Sequence, residues 1–113
     1  MPRTIKKYAN RRLYDTHASR HVTLDGIRRL VVAGEDLVVI DDTSGQDITR
    51  GILLQVIAGQ EEAGRPILGT ATLRHLIRAY GQPLQEPMAR HLEGSIEAFL
   101  DQHRPAGDAP GES

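Results

Sequence analysis

Lys6, Lys7, Tyr8, Asn10, Arg11, Arg12 and Tyr14 fall within nine residues of one another. Ammonium and guanidinium groups neutralise phosphates and release counterions. Arg and Asn also present paired donors that match guanine and adenine edges in the major groove. A short strand or ribbon enters that groove as a helix does. Tyr8 and Tyr14 suit packing on a sugar, stacking on a base, or bracing the backbone through a buried, bonded hydroxyl. The chemistry on offer is polyanion recognition. The structural alternative for Arg12 is an ion pair with Asp15 or Asp25.

Other constellations offer less. His17 and His21 stand four apart, as two metal ligands on a helix turn do, but they flank an expected turn and no Cys or Glu accompanies them. Asp41, Asp42 and Asp47 bracket Gly45 without the alternating oxygen ligands and distant Glu of a calcium loop, so a strand-to-helix turn is expected there. Ser19, Ser44 and Ser95 have no evident base. The chain has no cysteine, which excludes disulfides and thiolate chemistry. These residues point to no enzyme, no cofactor and no metal.

The formal net charge of −1 conceals a division. Residues 1–30 hold eight Lys/Arg against two Asp, while residues 31–113 hold six Arg against thirteen acids. Such asymmetry suggests a polyanion site at one end, and the competing reading is a solvated basic face paired with acids elsewhere. The 113 residues suit one modest domain or two small units sharing a core. No apolar run approaches the roughly 20 residues of a membrane span, and no secretory signal is recognisable. The expectation is a soluble, cytoplasmic protein.

The elements that must position the basic stretch read as α+β. Residues 5–15 are extended. As one strand, Ile5, Lys7, Ala9, Arg11 and Leu13 share one face, and Lys6, Tyr8, Asn10, Arg12 and Tyr14 the other. A turn at Ala9-Asn10 is the alternative, because Asn favours turns. Residues 15–19 form a tight connection. Thr23 caps a short helix with Asp25 in its first turn, apolar at Leu24, Ile27, Leu30 and Val31, and closed by Gly34. Residues 36–41 make an apolar strand. Asp47 or Thr49 caps a helix to about Glu62, with Ile52, Val56 and Gly59, or Ile48, Leu53 and Ile57, as its apolar side. Residues 63–66 mark a boundary. Thr70 or Thr72 caps a helix carrying Leu73, Leu76, Ile77 and Tyr80, ended by Gly81 and Pro83. A last helix over about 85–103 carries Leu84, Met88, Leu92, Ile96, Phe99 and Leu100 in steps of three and four. That stripe needs a surface to cover it, its own domain or another molecule. The expected organisation is an α+β domain over 1–62, a helical module over 66–103 and a disordered tail over 104–113.

The segments KKYANRRLYDT, SRHVTLDGIRRLVVAG and VIDDTSGQDITRGILLQVI closely resemble the N-terminal domain of the polyhydroxyalkanoate synthesis repressor, or polyhydroxybutyrate accumulation regulator, family. LRHLIRAYGQPLQEPMARHLEGSIEAF is similar to the shorter C-terminal module of the same proteins. Together they cover residues 5–103. The resemblance implies a bacterial repressor of the genes for phasins, the proteins that coat polyester storage granules. It also implies that nascent polyester releases the repressor from double-stranded DNA, and that some protein sits on the granules. The basic motif carries over onto Lys6, Lys7, Tyr8, Asn10, Arg11, Arg12, Tyr14, Ser19 and Arg20. On their chemistry Lys6, Lys7 and Arg20 suit phosphates, and Asn10, Arg11 and Arg12 suit bases. The apolar stripe would join copies into a dimer or tetramer, or meet the polymer. Ala9 departs from the family, which carries Pro there, and the chain is short at the C-terminal end. The rival reading is a granule-associated structural protein without a specific DNA site.

Overall fold

The computed structural model describes residues 2–103, so the expected disordered tail at 104–113 lies outside the described residues. The chain divides into two compact units, one ending at Ile67 and the other beginning at Leu68. The first contains strands β1 (Arg3–Lys7), β2 (Leu13–Asp15) and β3 (Arg20–Val22), helix α1 (Leu24–Val32), strand β4 (Leu37–Asp41) and helix α2 (Thr49–Ala63). The second contains helices α3 (Thr70–Ala79) and α4 (Gln85–Gln102).

The four strands lie in the order β3-β2-β1-β4, with β1 parallel to β4 and the other pairs antiparallel. Register decides which residues meet. Ile5 sits beside Val39, Arg3 beside Leu37, and Leu13 between Lys7 and Val22. Neighbours in register share a face, so Ile5, Leu13, Val22, Leu37 and Val39 form one apolar surface. α1 and α2 cover it through Ile27 and Ile52. Ile5, Ile27 and Val39 are wholly buried, each contributing about 1.5–3 kcal/mol relative to exposure. Gly26 lets α1 approach β3, because a Cβ there would overlap the Val22 side chain.

Of the two readings of residues 5–15, the turn is the one found. Tyr8 N–H donates to the Arg12 carbonyl at 3.0 Å, and Arg11 N–H to the Tyr8 carbonyl at 2.9 Å. Asn10 Oδ1 accepts the Arg12 N–H at 3.0 Å. Arg11 takes a left-handed conformation, φ 68°. This is a three-residue hairpin loop, a tight turn followed by a left-handed residue that forms a bulge. The turn forms with Ala at position 9. Grouping Ala9 and Arg11 with Ile5 as one strand face is therefore corrected, since residues 8–12 leave the strands.

Thr23 caps α1 by accepting the Gly26 N–H at 3.0 Å. Gly34, at φ 85°, closes it, with Gly34 N–H to the Val31 carbonyl and Glu35 N–H to the Leu30 carbonyl, the paired bonds of a glycine-terminated helix. Ile27 is buried and Leu30 half-buried, whereas Val31 is exposed, so the inward face is narrower than its spacing implies. Along α2, Ile52 is buried with Leu53 and Val56 packed beside it, while Ile57 is exposed.

Asp47 serves the start of α2, its Oδ1 accepting the Thr49 N–H at 2.9 Å, whereas neither Thr70 nor Thr72 caps α3. Ile48 occupies the α2 cap position without a side-chain bond. The Thr49 hydroxyl instead accepts the Val39 N–H at 2.8 Å and donates to Asp47 Oδ1 at 2.6 Å. With Ile48 N–H on the Val39 carbonyl at 2.8 Å, this segment covers the outer edge of β4 and blunts it against further pairing. Gly69, not Thr70 or Thr72, precedes α3. Gly81 follows it at φ 75°. Pro87 sits in the first turn of α4, where the missing N–H has no helical partner to lose.

Candidate nucleic-acid interface

The cations of the first thirty residues divide by partner. Arg3 lies 3.0 Å from both Asp15 Oδ2 and Glu35 Oε1. Asp15 is buried, and its Oδ1 also accepts the N–H groups of His17 at 2.9 Å and Ala18 at 3.2 Å. Asp15 thus ties β1 to the turn between β2 and β3. Arg28 and Arg29 both reach Asp25, at 2.8 and 3.0 Å. The Arg28 hydrogen bond is the main influence holding the Asp25 carboxyl below its ordinary value. Lys6 approaches Asp42 at only 3.8 Å, with both side chains near half exposure. Lys7, Arg11, Arg12 and Arg20 form no ion pair among the described residues. The carboxylates considered for Arg12 are taken, Asp15 by Arg3 and Asp25 by Arg28 and Arg29.

Three of the four unpaired cations converge. Lys7 ends β1, and Arg11 and Arg12 stand in the loop that follows. A left-handed conformation costs a residue with a side chain roughly 1–2 kcal/mol. The Tyr8 carbonyl and the Asn10 side chain hold the loop against that cost, so the Arg11 side chain is directed by a fixed backbone. Asn10 spends its Oδ1 on this turn and keeps its amide donors. The loop is therefore a small rigid projection with two guanidiniums and an amide.

A second group lies on the sheet face opposite α1 and α2. Lys6 is in register with Tyr14, and Tyr14 with His21. The Tyr14 ring meets His21 edge-on, with centroids 5.4 Å apart, and lies 6.3 Å from Tyr8. His21 Nδ1 donates to the Leu13 carbonyl at 3.2 Å. Half-buried Tyr14 sits between two rings, a bracing position, whereas His21 is exposed. This row continues from the loop along the sheet.

Ser19 and Arg20 are not part of that convergence. Ser19, at φ 56°, ends the turn after β2, and Arg20 pairs opposite Asp15. Both lie at the far end of the β2–β3 hairpin from the loop. His17 sits in that turn, apart from His21 in β3. Sequence reading passed over two kinds of neighbour. His21 joins the aromatic row only through cross-strand register. Leu24 and Gln55 come beside Lys7 and Arg11 only through tertiary packing. The alternation of β3 was the one signal for the former, and no local signal exists for the latter.

No helix among the described residues is long and apolar enough to cross a membrane. In the second unit, the whole of α4 leaves no described residue buried. Leu84, Leu92, Ile96, Phe99 and Leu100 are exposed and Met88 is half-buried.

Comparison with known proteins accords with this division. Residues 4–64 match the family model described as the PHB/PHA accumulation regulator DNA-binding domain. Residues 68–104 match the model described as the PHB accumulation regulatory domain. An uncharacterized protein of Allochromatium vinosum is 46% identical over 102 residues, covering 90% of this chain and 67% of its own length. A protein of Thiocystis violacea, described as lying in the phbA 5′ region, is 44% identical over 115 residues, covering 98% of this chain and 83% of its own length. No solved structure matches.

Proposed function

The chain belongs to the PHB/PHA accumulation regulator family and carries its DNA-binding and regulatory domains, and from that premise we propose that it represses phasin and polyester-granule genes until nascent polyester releases it. The observation that carries the DNA contact is the rigid loop of Tyr8–Arg12, whose guanidiniums are free of the acids that occupy Arg3, Arg28 and Arg29. Asn10, Arg11 and Arg12 reach base edges from this loop. Lys7 and, beyond a loose contact with Asp42, Lys6 neutralise flanking phosphates. Tyr8 packs against the sugar–phosphate backbone, and Tyr14 braces the row behind it. Ser19 and Arg20 meet phosphates only if the duplex extends along the sheet.

The stripe of Leu84, Met88, Leu92, Ile96, Phe99 and Leu100 supplies the other half of the reading. Its exposure supports an apolar contact. That contact joins copies into at least a dimer, which suits two half-sites, or receives the polyester. For release, polymer need only favour a state that cannot hold DNA, and the coupling is reciprocal, so DNA weakens polymer binding equally. The protein then acts in the cytoplasm and partly at granule surfaces.

The test is fluorescence anisotropy on a phasin-promoter duplex and a scrambled duplex over a salt series, followed by addition of polymer particles. Selective binding, with a log–log salt slope of about 0.9 per neutralised phosphate, and release by polymer are the expected results. Equal binding to both duplexes, indifferent to polymer, would favour a granule-structural role without a DNA site.

A further inference from the structure

Lys7 and Arg11 have another neighbour besides solvent. They line a cleft of about 430 Å³ together with Leu13, Leu24, Ile52 and Gln55. The cleft opens at the loop end of the first unit, on the side of the sheet that α1 and α2 cover. Leu13 and Ile52 are buried, so its floor is apolar, and Leu24 adds a partly exposed wall. Among the described residues its polar groups are two cations without ion pairs and one side-chain amide, and no carboxylate lines it. Its volume falls within the roughly 300–1,000 Å³ of small-molecule sites, and most of the surface it presents is polar, with Leu24 as its exposed apolar wall.

We propose that this cleft binds a phosphate monoester with a small apolar body. The phosphate sits between Lys7 Nζ and the Arg11 guanidinium, with the Gln55 amide as a third donor. The body lies against Leu24, the one apolar lining residue with appreciable exposure. Two cations and a neutral amide match a phosphate monoester, which carries about −1.5 to −2 at neutral pH, better than a carboxylate of single charge. The fixed left-handed backbone of Arg11 keeps its side chain beside both the cleft and the loop. A bound ester therefore occupies two of the cations assigned to DNA. Ester binding is independent of the DNA reading, whereas its consequence, competition with duplex, rests on it.

Phenyl phosphate and inorganic phosphate serve as probes, titrated calorimetrically into the full chain at low salt. Phenyl phosphate is expected to bind saturably at one site, about tenfold more tightly than inorganic phosphate through contact of its ring with Leu24. Lys7→Ala and Gln55→Glu should each weaken it about tenfold, with circular dichroism unchanged. Arg50→Ala removes an exposed cation outside the cleft and should leave binding as in the wild type. Absence of saturable binding, equal affinity for the two probes, or an equal loss in Arg50→Ala would overturn the proposal. So would a Gln55→Glu variant that loses duplex affinity while the wild type ignores phenyl phosphate, since the cleft would then seat a backbone phosphate. In a duplex anisotropy assay, phenyl phosphate should displace DNA from the wild type but not from Gln55→Glu at the same concentration. Should the protein bind phenyl phosphate and no duplex at all, the cleft stands and the DNA reading falls.

Discussion

In the first unit Ile5, Ile27 and Val39 are wholly buried between a sheet and two helices, whereas in α4 Ile96, Phe99 and Leu100 each keep 57% of their surface exposed. The two regions use similar side chains to different ends. A sheet face offers α1 and α2 a broad surface, so their apolar residues can be covered within one unit. α4 presents a long narrow stripe, and none of its described residues is fully buried. Charge divides in parallel. Arg3, Arg28 and Arg29 are held by acids, and among the described residues Lys7, Arg11 and Arg12 are not. Exposed groups without partners within the chain are the ones available for recognition. A basic composition alone would have counted all of them.

Substitutions can break this contrast in order of size. Asp15→Ala removes the buried carboxylate that holds Arg3 and two turn N–H groups. Loss of one partner of a buried pair costs about 3–5 kcal/mol, and urea denaturation should show it, while Asp42→Ala at the exposed contact with Lys6 should leave the midpoint nearly unmoved. Ile27→Ala should cost the first unit about 3 kcal/mol. Ile96→Ala should barely alter helix content but weaken assembly about tenfold or more, read by sedimentation. If Ile96→Ala destabilises the isolated chain as Ile27→Ala does, the stripe is an internal packing face.

Ala9→Pro is expected to stabilise by about 0.4–1 kcal/mol, because Pro suits the second position of such a turn and no hydrogen bond of the loop uses the Ala9 N–H. A rise in thermal midpoint with duplex affinity kept or improved would check it. The smallest effect concerns Asp25. Its carboxyl is held below the ordinary value of 3.8, chiefly by the Arg28 hydrogen bond. A depressed carboxylate contributes stability above the unfolded value and loses it as pH falls through the folded one. Asp25→Asn should therefore narrow the stability difference from wild type below pH 3.8, as seen in acid titration of the thermal midpoint.

Much of the framework was readable in the residues. Thr23, Asp25 and Gly34 bracket α1 by local chemistry, and β4 stands out as an apolar run. The turn at Ala9-Asn10 was one of two readings of the same stretch. Alternation cannot distinguish them, because the choice depends on the bonds that Tyr8, Asn10 and Arg12 make across the loop. Thr49 and Thr70 show a related effect, since neither caps its helix. Thr49 has a cap-forming hydroxyl, but Val39 N–H and Asp47 claim it, and only the tertiary fold brings Val39 there. The basic motif was legible as composition. Its sorting into paired and unpaired cations was not, since Arg3 meets Glu35 across 32 positions of sequence. Nor does sequence order show that Arg20 sits at the other end of a hairpin from Arg12.

The central claim is that the loop cations, not basic charge in general, meet DNA. The most direct measurement compares two double variants of equal charge, Arg11→Ala with Arg12→Ala and Arg28→Ala with Arg29→Ala, by anisotropy on the promoter duplex, with helix content checked by circular dichroism. The account predicts a loss of about hundredfold or more in selective affinity for the loop variant, from contacts of about 1–3 kcal/mol each, and near wild-type binding for the helix variant. Equal losses in the two, or full binding by the folded loop variant, would contradict it.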